Sequence, residues 1–137
     1  DTKIHTILEQ NPAFKADRDL LMTIPCMNES TAATLLYLMH AYPAESTEKF
    51  VSMLHLHDGE AIGDDNYRAP ELRIARNALF AFSADAEESM EEIKALAKRL
   101  DDKSKSYKTI AIAISHKVAR IVYAMLKNQC AYRKVSC

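Results

Sequence analysis

Between Lys103 and Cys137 the chain holds eight basic residues (Lys103, Lys105, Lys108, Lys117, Arg120, Lys127, Arg133 and Lys134) and no acidic one, while all 19 Asp and Glu fall at or before Asp102. A segment of one sign suits a polyanion, whose phosphates it neutralises with release of counterions. The same cations could instead neutralise the acidic body beside them. Lys117, Arg120 and Lys127 stand three and seven residues apart, so on a helix they share roughly one face. His116 beside Lys117, and Tyr107, Tyr123 and Tyr132 in or next to the same segment, could stack on bases. The other common use of such tyrosines is a buried ring with a wet hydroxyl.

A second set of residues lies between Leu20 and Leu36. Leucines lead into Ile24-Pro25-Cys26-Met27-Asn28, and Glu29-Ser30-Thr31 then opens a second apolar run. Helix, tight break and polar helix start make the layout of a helix-hairpin-helix. In such an element the backbone N–H groups from Asn28 to Thr31, with the side chains of Ser30 and Thr31, would hold a phosphate. Asn28, Ser30 and Thr31, together with Lys105, Lys108, Lys117, Arg120 and Lys127, are therefore the candidate nucleic-acid contacts. Hairpins of this kind rely on glycine for close backbone approach, and here there is none. Asn28 can enter the left-handed region at modest cost, whereas Cys26 cannot do so cheaply. Glu29 would repel a phosphate. The plainer reading is that Asn28 or Ser30 caps the helix while Cys26 and Met27 pack inside.

The third set is His55, His57, Asp58, Asp64 and Asp65. A His-x-His with nearby carboxylates has the donor types for zinc or manganese, which makes His55 and His57 the candidate metal ligands. They converge only on an extended backbone, and the aspartates also suit turns. The cluster lacks a hydroxyl nucleophile for a hydrolytic triad. Cys26, Cys130 and Cys137 are odd in number and lack a Cys-x-x-Cys spacing, so neither a disulfide framework nor a zinc site is expected, and the thiols read as reduced. No cofactor is implied.

These residues must be positioned by helices. Thr2 to Gln10 reads as a short helix, and Asn11-Pro12 starts one that ends at Pro25. The next runs from Asn28–Ser30 to about residue 41, and Ser46-Thr47-Glu48 begins a short one that points Phe50, Val51, Met53 and Leu54 inward. His55 to Ala69 is irregular. Pro70 restarts a helix through Leu72, Ile74, Leu79 and Phe80, and Asp85 with Glu88 forms a capping box for a further helix to Leu100. The last helix, about residues 106–132, repeats Ile110, Ile114, Val118, Ile121, Val122 and Met125 at steps of three and four. No period-two pattern occurs. The fold class is all-α, a compact multi-helix bundle in one domain over residues 1–137, with the hairpin element at about 12–41.

A chain of 137 residues with 48% hydrophobic residues can bury a core of its own. No run approaches the ~20 apolar residues of a membrane span, and no signal-peptide pattern opens the chain. A soluble, cytoplasmic protein without a membrane partner is expected.

Three blocks, taken in order, resemble the C-terminal domain of the bacterial insertion-sequence transposases and pilin-gene DNA invertases. Ile24-Pro25-Cys26-Met27-Asn28 with Thr31-Ala32-Ala33-Thr34-Leu35-Leu36 looks like that family's Ile-Pro-Gly-Ile-Gly hairpin and the Thr-Ala and leucines after it. Ala75-Arg76-Asn77-Ala78-Leu79-Phe80-Ala81 is similar to its Leu-Arg-x-Ala-Leu block. Ser104-Lys105, followed by the Ala- and Val-rich run to Tyr123, looks like its Gly-Lys turn and final helix. The resemblance implies DNA as partner, structured RNA as another, a homo-oligomer, and a RuvC-like acidic catalytic domain upstream. In the family a serine of a Ser-Gly pair is the proposed nucleophile. No serine stands between Ser52 and Ser83 here, so no catalytic residue carries over. The expected function is backbone gripping for a transposase or site-specific recombinase whose chemistry lies elsewhere. The alternative is a helical protein-interaction or dimerisation module. A metal-dependent enzyme centred on His55 and His57 is the third class.

Overall fold

Polar caps set where three of the six described helices begin. The computed structural model describes residues 6, 10, 12–54 and 70–132. Within them lie α1 (Pro12–Leu21), α2 (Glu29–Ala41), α3 (Thr47–Met53), α4 (Pro70–Ser89), α5 (Glu91–Asp102) and α6 (Tyr107–Asn128); no strand occurs among the described residues. Asn28, Ser46 and Ser106 cap α2, α3 and α6, each accepting from the backbone N–H three residues on, at 2.7, 3.2 and 3.2 Å. These bonds satisfy donors that a helix start leaves open. Left-handed residues end two helices: Ser104 (φ 61°) after α5 and Gln129 (φ 52°) after α6. In both, the following N–H reaches back five residues, Lys105 to Leu100 and Cys130 to Met125, as in a Schellman motif.

The centre of the bundle is α6. It packs on α1, α3, α4 and α5, while α4 also packs on α2 and α5. Its buried stripe includes Ile114, Val118, Val122 and Met125, spaced so that the side chains fall on one side of the helix. α2 is buried almost all round, with Thr31 to Leu36 and Leu38 inaccessible. Small residues there let neighbouring helices approach. Buried hydroxyls turn back onto their own helices: Thr34 donates to Ser30 O (2.8 Å), Ser83 to Phe80 O (2.6 Å) and Ser115 to Ala111 O (2.9 Å). A hydroxyl satisfied in this way can be buried without leaving a donor unpaired.

Several expectations need correction. Asp85 and Glu88 do not begin a helix: α4 runs through both to Ser89, and the break falls at the buried Met90, which caps α5 without a side-chain bond. Asp85 has the residue type of a cap, but Ala86 and Met90 must both stay in the core, and the single extended residue that achieves this is Met90. Ile74 and Phe80 face solvent. The last helix ends at Asn128, leaving Lys105 before it and Tyr132 after it. By length and composition alone α6, at 22 residues and mean hydropathy 1.4 in its most apolar window, is long and apolar enough to cross a membrane; half of that window is buried within the bundle. Cys26 is a free, exposed thiol, but Cys130 is disulfide-bonded, so the reading of three reduced thiols does not hold. The helix at Thr2–Gln10, the His55–Ala69 stretch, Arg133, Lys134 and Cys137 fall wholly or mainly outside the described residues.

Candidate nucleic-acid interface

The exposed side of α6 and the adjoining flank of α5 enclose a groove of about 430 Å³. Its floor is Leu96 from α5 with Ile112 and Ala113 from α6; Thr109, His116, Lys117 and Arg120 form its α6 edge. No acidic side chain lines it. The spacing follows from the buried stripe: residues opposite Ile114, Val118 and Val122 on a 3.6-residue helix must face out. On α5, Arg99 stands three residues after Leu96 and so shares its flank, and Lys103 caps the end of that helix. At the loop end, Lys103, Lys105, Tyr107 and Lys108 are all exposed, Tyr107 by 78%. From Thr109 to Arg120 the groove runs about 16 Å at 1.5 Å per residue.

Lys117 makes no ion pair among the described residues. Arg120 does: Nη1 lies 3.2 Å from Glu48 Oε2 on α3, and Nε lies 3.4 Å from His116 Nδ1. Both members of the Arg120–Glu48 pair are exposed, so the pair is worth at most about 1 kcal/mol and can be exchanged for another anion. The alternative, neutralisation of these cations by the acidic body, is met at Arg120, whose partner Glu48 belongs to that body. Sequence reasoning missed Glu48 as a partner, because α3 reaches Arg120 only through the tertiary fold. It also missed Leu96, Ile112 and Ala113, which in the sequence look like ordinary core positions.

The hairpin is a different kind of place. Pro25 and Cys26 are the central residues of a turn closed by Met27 N–H to Ile24 O at 3.1 Å. Cys26 carries φ 64°, and proline followed by a positive φ is the type II pattern, which favours glycine at the second site. This reverses the expectation: Cys26 is left-handed, while Asn28 is extended (φ −106°, ψ 157°). Cys26 Sγ hydrogen-bonds Ser89 Oγ at 2.8 Å. Thr31 is corrected as a contact, since its side chain is buried and its N–H is taken by Asn28 Oδ1. Ser30 is exposed, and Arg18 Nη1 holds Glu29 at 3.0 Å. Tyr132 returns to this end of the bundle, its N–H donating to Thr23 Oγ1 at 2.8 Å and its hydroxyl bonding Glu92. Burial and then the Glu92 carboxylate raise the Tyr132 phenol above its ordinary range.

The candidate residues therefore do not form one site. Asn28, Ser30 and Thr31 lie at the end of the bundle where α5 begins; Lys105 and Lys108 lie where it ends, about 18 Å away along a twelve-residue helix. Lys108 and Lys117, nine residues apart, project from opposite sides of α6. Lys117 and Arg120 share the groove. Lys127 instead sits over the Tyr123 ring, 5.9 Å from its centroid. Tyr123 is buried and donates to Ala44 O at 3.0 Å, which leaves Tyr107 as the exposed ring of the three. His55 and His57 lie outside the described residues, and no metal-holding group of three His, Cys, Asp or Glu occurs among the described ones. No protein-family model and no curated protein matches this chain.

Proposed function

We propose that the chain binds nucleic acid along the α5–α6 groove, gripping the sugar-phosphate backbone rather than reading bases. The observation that carries this reading is an apolar-floored groove, without an acidic lining residue, edged by Lys117 and Arg120, with Lys103, Lys105 and Tyr107 exposed at its loop end. Cations tracking a backbone beside an exposed aromatic ring are what sequence-tolerant single-strand binding uses. The hairpin adds a lesser contact, through the exposed Ser30 at the start of α2. Its resemblance to the transposase and invertase hairpin also supports the reading: the position aligned with that family's first glycine is the one that takes a positive φ here. On this proposal the domain positions DNA, or a structured RNA, for a catalytic domain elsewhere.

Binding should be measured against duplex DNA, single-stranded DNA and a structured RNA over a range of salt. The logarithm of affinity should fall with log salt by about 0.9 per phosphate contact on duplex and about 0.7 on single strands. Lys117→Glu and Arg120→Glu should each flatten that slope. Absence of binding to all three at low salt rejects the proposal. A second reading, a protein-interaction or self-association module, is favoured by Ile74 and Phe80, 54% and 37% exposed on α4. A stable dimer in sedimentation, lost on Phe80→Lys and indifferent to Lys117→Glu, would support it.

A further inference from the structure

A second cleft, of about 420 Å³, opens between α1, α2, α3 and the far end of α6. It is within the size of small-molecule sites. Its floor is apolar and largely aromatic: Phe14, Phe50, Tyr123 and Leu126. Phe50 and Tyr123 stack with centroids 5.7 Å apart, and the His40 ring meets Phe14 edge-on at 4.7 Å. Its rim carries both signs, with Asp17 and Glu45 as carboxylates and Lys127 as an ammonium. No ion pair joins these three to one another among the described residues.

Two bonds prepare the cleft. Gln129 Nε2 donates to Asp17 Oδ1 at 3.0 Å and to Leu126 O at 2.7 Å, so the carboxylate is held in place from α6. The Tyr123 hydroxyl donates to Ala44 O, tying the α2–α3 link across the floor. Pre-oriented groups cost less to order when a ligand arrives.

We propose that this cleft binds a small zwitterion with an apolar body, of which a free apolar α-amino acid is the simplest example. The body covers the aromatic floor, the ligand ammonium meets Asp17 and Glu45, and its carboxylate meets Lys127. A ligand of one sign leaves one part of the rim unsatisfied or repelled: a plain amine faces Lys127, and a plain acid faces two carboxylates. This site shares no lining residue with the α5–α6 groove, so the two assignments stand or fall separately.

The test is an NMR titration of the whole chain with L-phenylalanine, 2-phenylethylamine and 3-phenylpropionate. L-Phenylalanine should bind about tenfold more tightly than either analogue, the scale of one charged hydrogen bond. Lys127→Ala should weaken L-phenylalanine and 3-phenylpropionate but not the amine. Glu45→Gln should weaken L-phenylalanine and the amine but not the acid. Both positions are exposed, and an unchanged thermal midpoint checks that each variant is folded. Equal affinity for the three probes, no binding at millimolar concentration, or failure of the two variants to separate the analogues by charge overturns the assignment.

Discussion

The hairpin and the α5–α6 groove are two polar regions that the sequence marks for the same task, and the fold treats them in opposite ways. At the hairpin, polar groups are largely consumed locally: Asn28 by Thr31 N–H, Glu29 by Arg18, Thr23 by Tyr132, and Cys26 by Ser89. In the groove, Lys117 stands beside apolar floor without an ion pair among the described residues, and Arg120 holds an exchangeable surface partner. A capping residue and a phosphate-binding residue have the same identity in a sequence. What distinguishes them is whether the hydrogen-bonding capacity is already used.

The largest effects should separate structure from binding. Leu21 is fully buried beside the hairpin, so Leu21→Ala should cost about 2–5 kcal/mol in urea unfolding. Lys117→Glu should change stability by less than about 0.5 kcal/mol while reducing nucleic-acid affinity several-fold at low salt. If both variants mainly lose stability, the contrast between the two regions fails.

Finer changes sharpen the account of the hairpin. Asn28→Ala removes the cap of α2 and should destabilise by about 1 kcal/mol, with a smaller effect on nucleic-acid binding than Lys117→Glu. Cys26→Gly relieves a left-handed non-glycine residue, worth about 1–2 kcal/mol, against the added flexibility of the unfolded chain and loss of the Ser89 contact. A net gain of roughly 0.5–1 kcal/mol in denaturant unfolding is expected. The smallest effect concerns pH. Because the folded Tyr132 phenol is raised above its unfolded value of 10.0, its contribution is full below that value and declines as pH rises above it. Tyr132→Phe should flatten the alkaline loss of stability; an unchanged pH profile would remove Tyr132 from the account.

The break at Met90 shows how far local patterning reaches. A capping-box reading of Asp85 and Glu88 is sound from residue types, yet both lie inside a continuous helix because core packing on either side outweighs the local signal. Cys26 teaches the converse. Its side chain argues against a positive φ, but Leu21, Ile24 and Met27 are all buried around it, and anchoring them dictates the turn. Asn28 and Ser46 were legible at helix starts because the bonds they make span three residues.

Residue order alone determined the all-helical class, most helix starts, the apolar stripe of α6 and the shared face of Lys117 and Arg120. These depend on periodicity and near-neighbour bonds, which a linear string contains. The tertiary structure alone decided that Thr31 is buried, that Arg120 meets Glu48 from 72 residues away, and that one groove is lined by cations without carboxylates while the other cleft carries both signs. Such features arise where helices distant in sequence come together, and no local pattern encodes which side chains will face each other there.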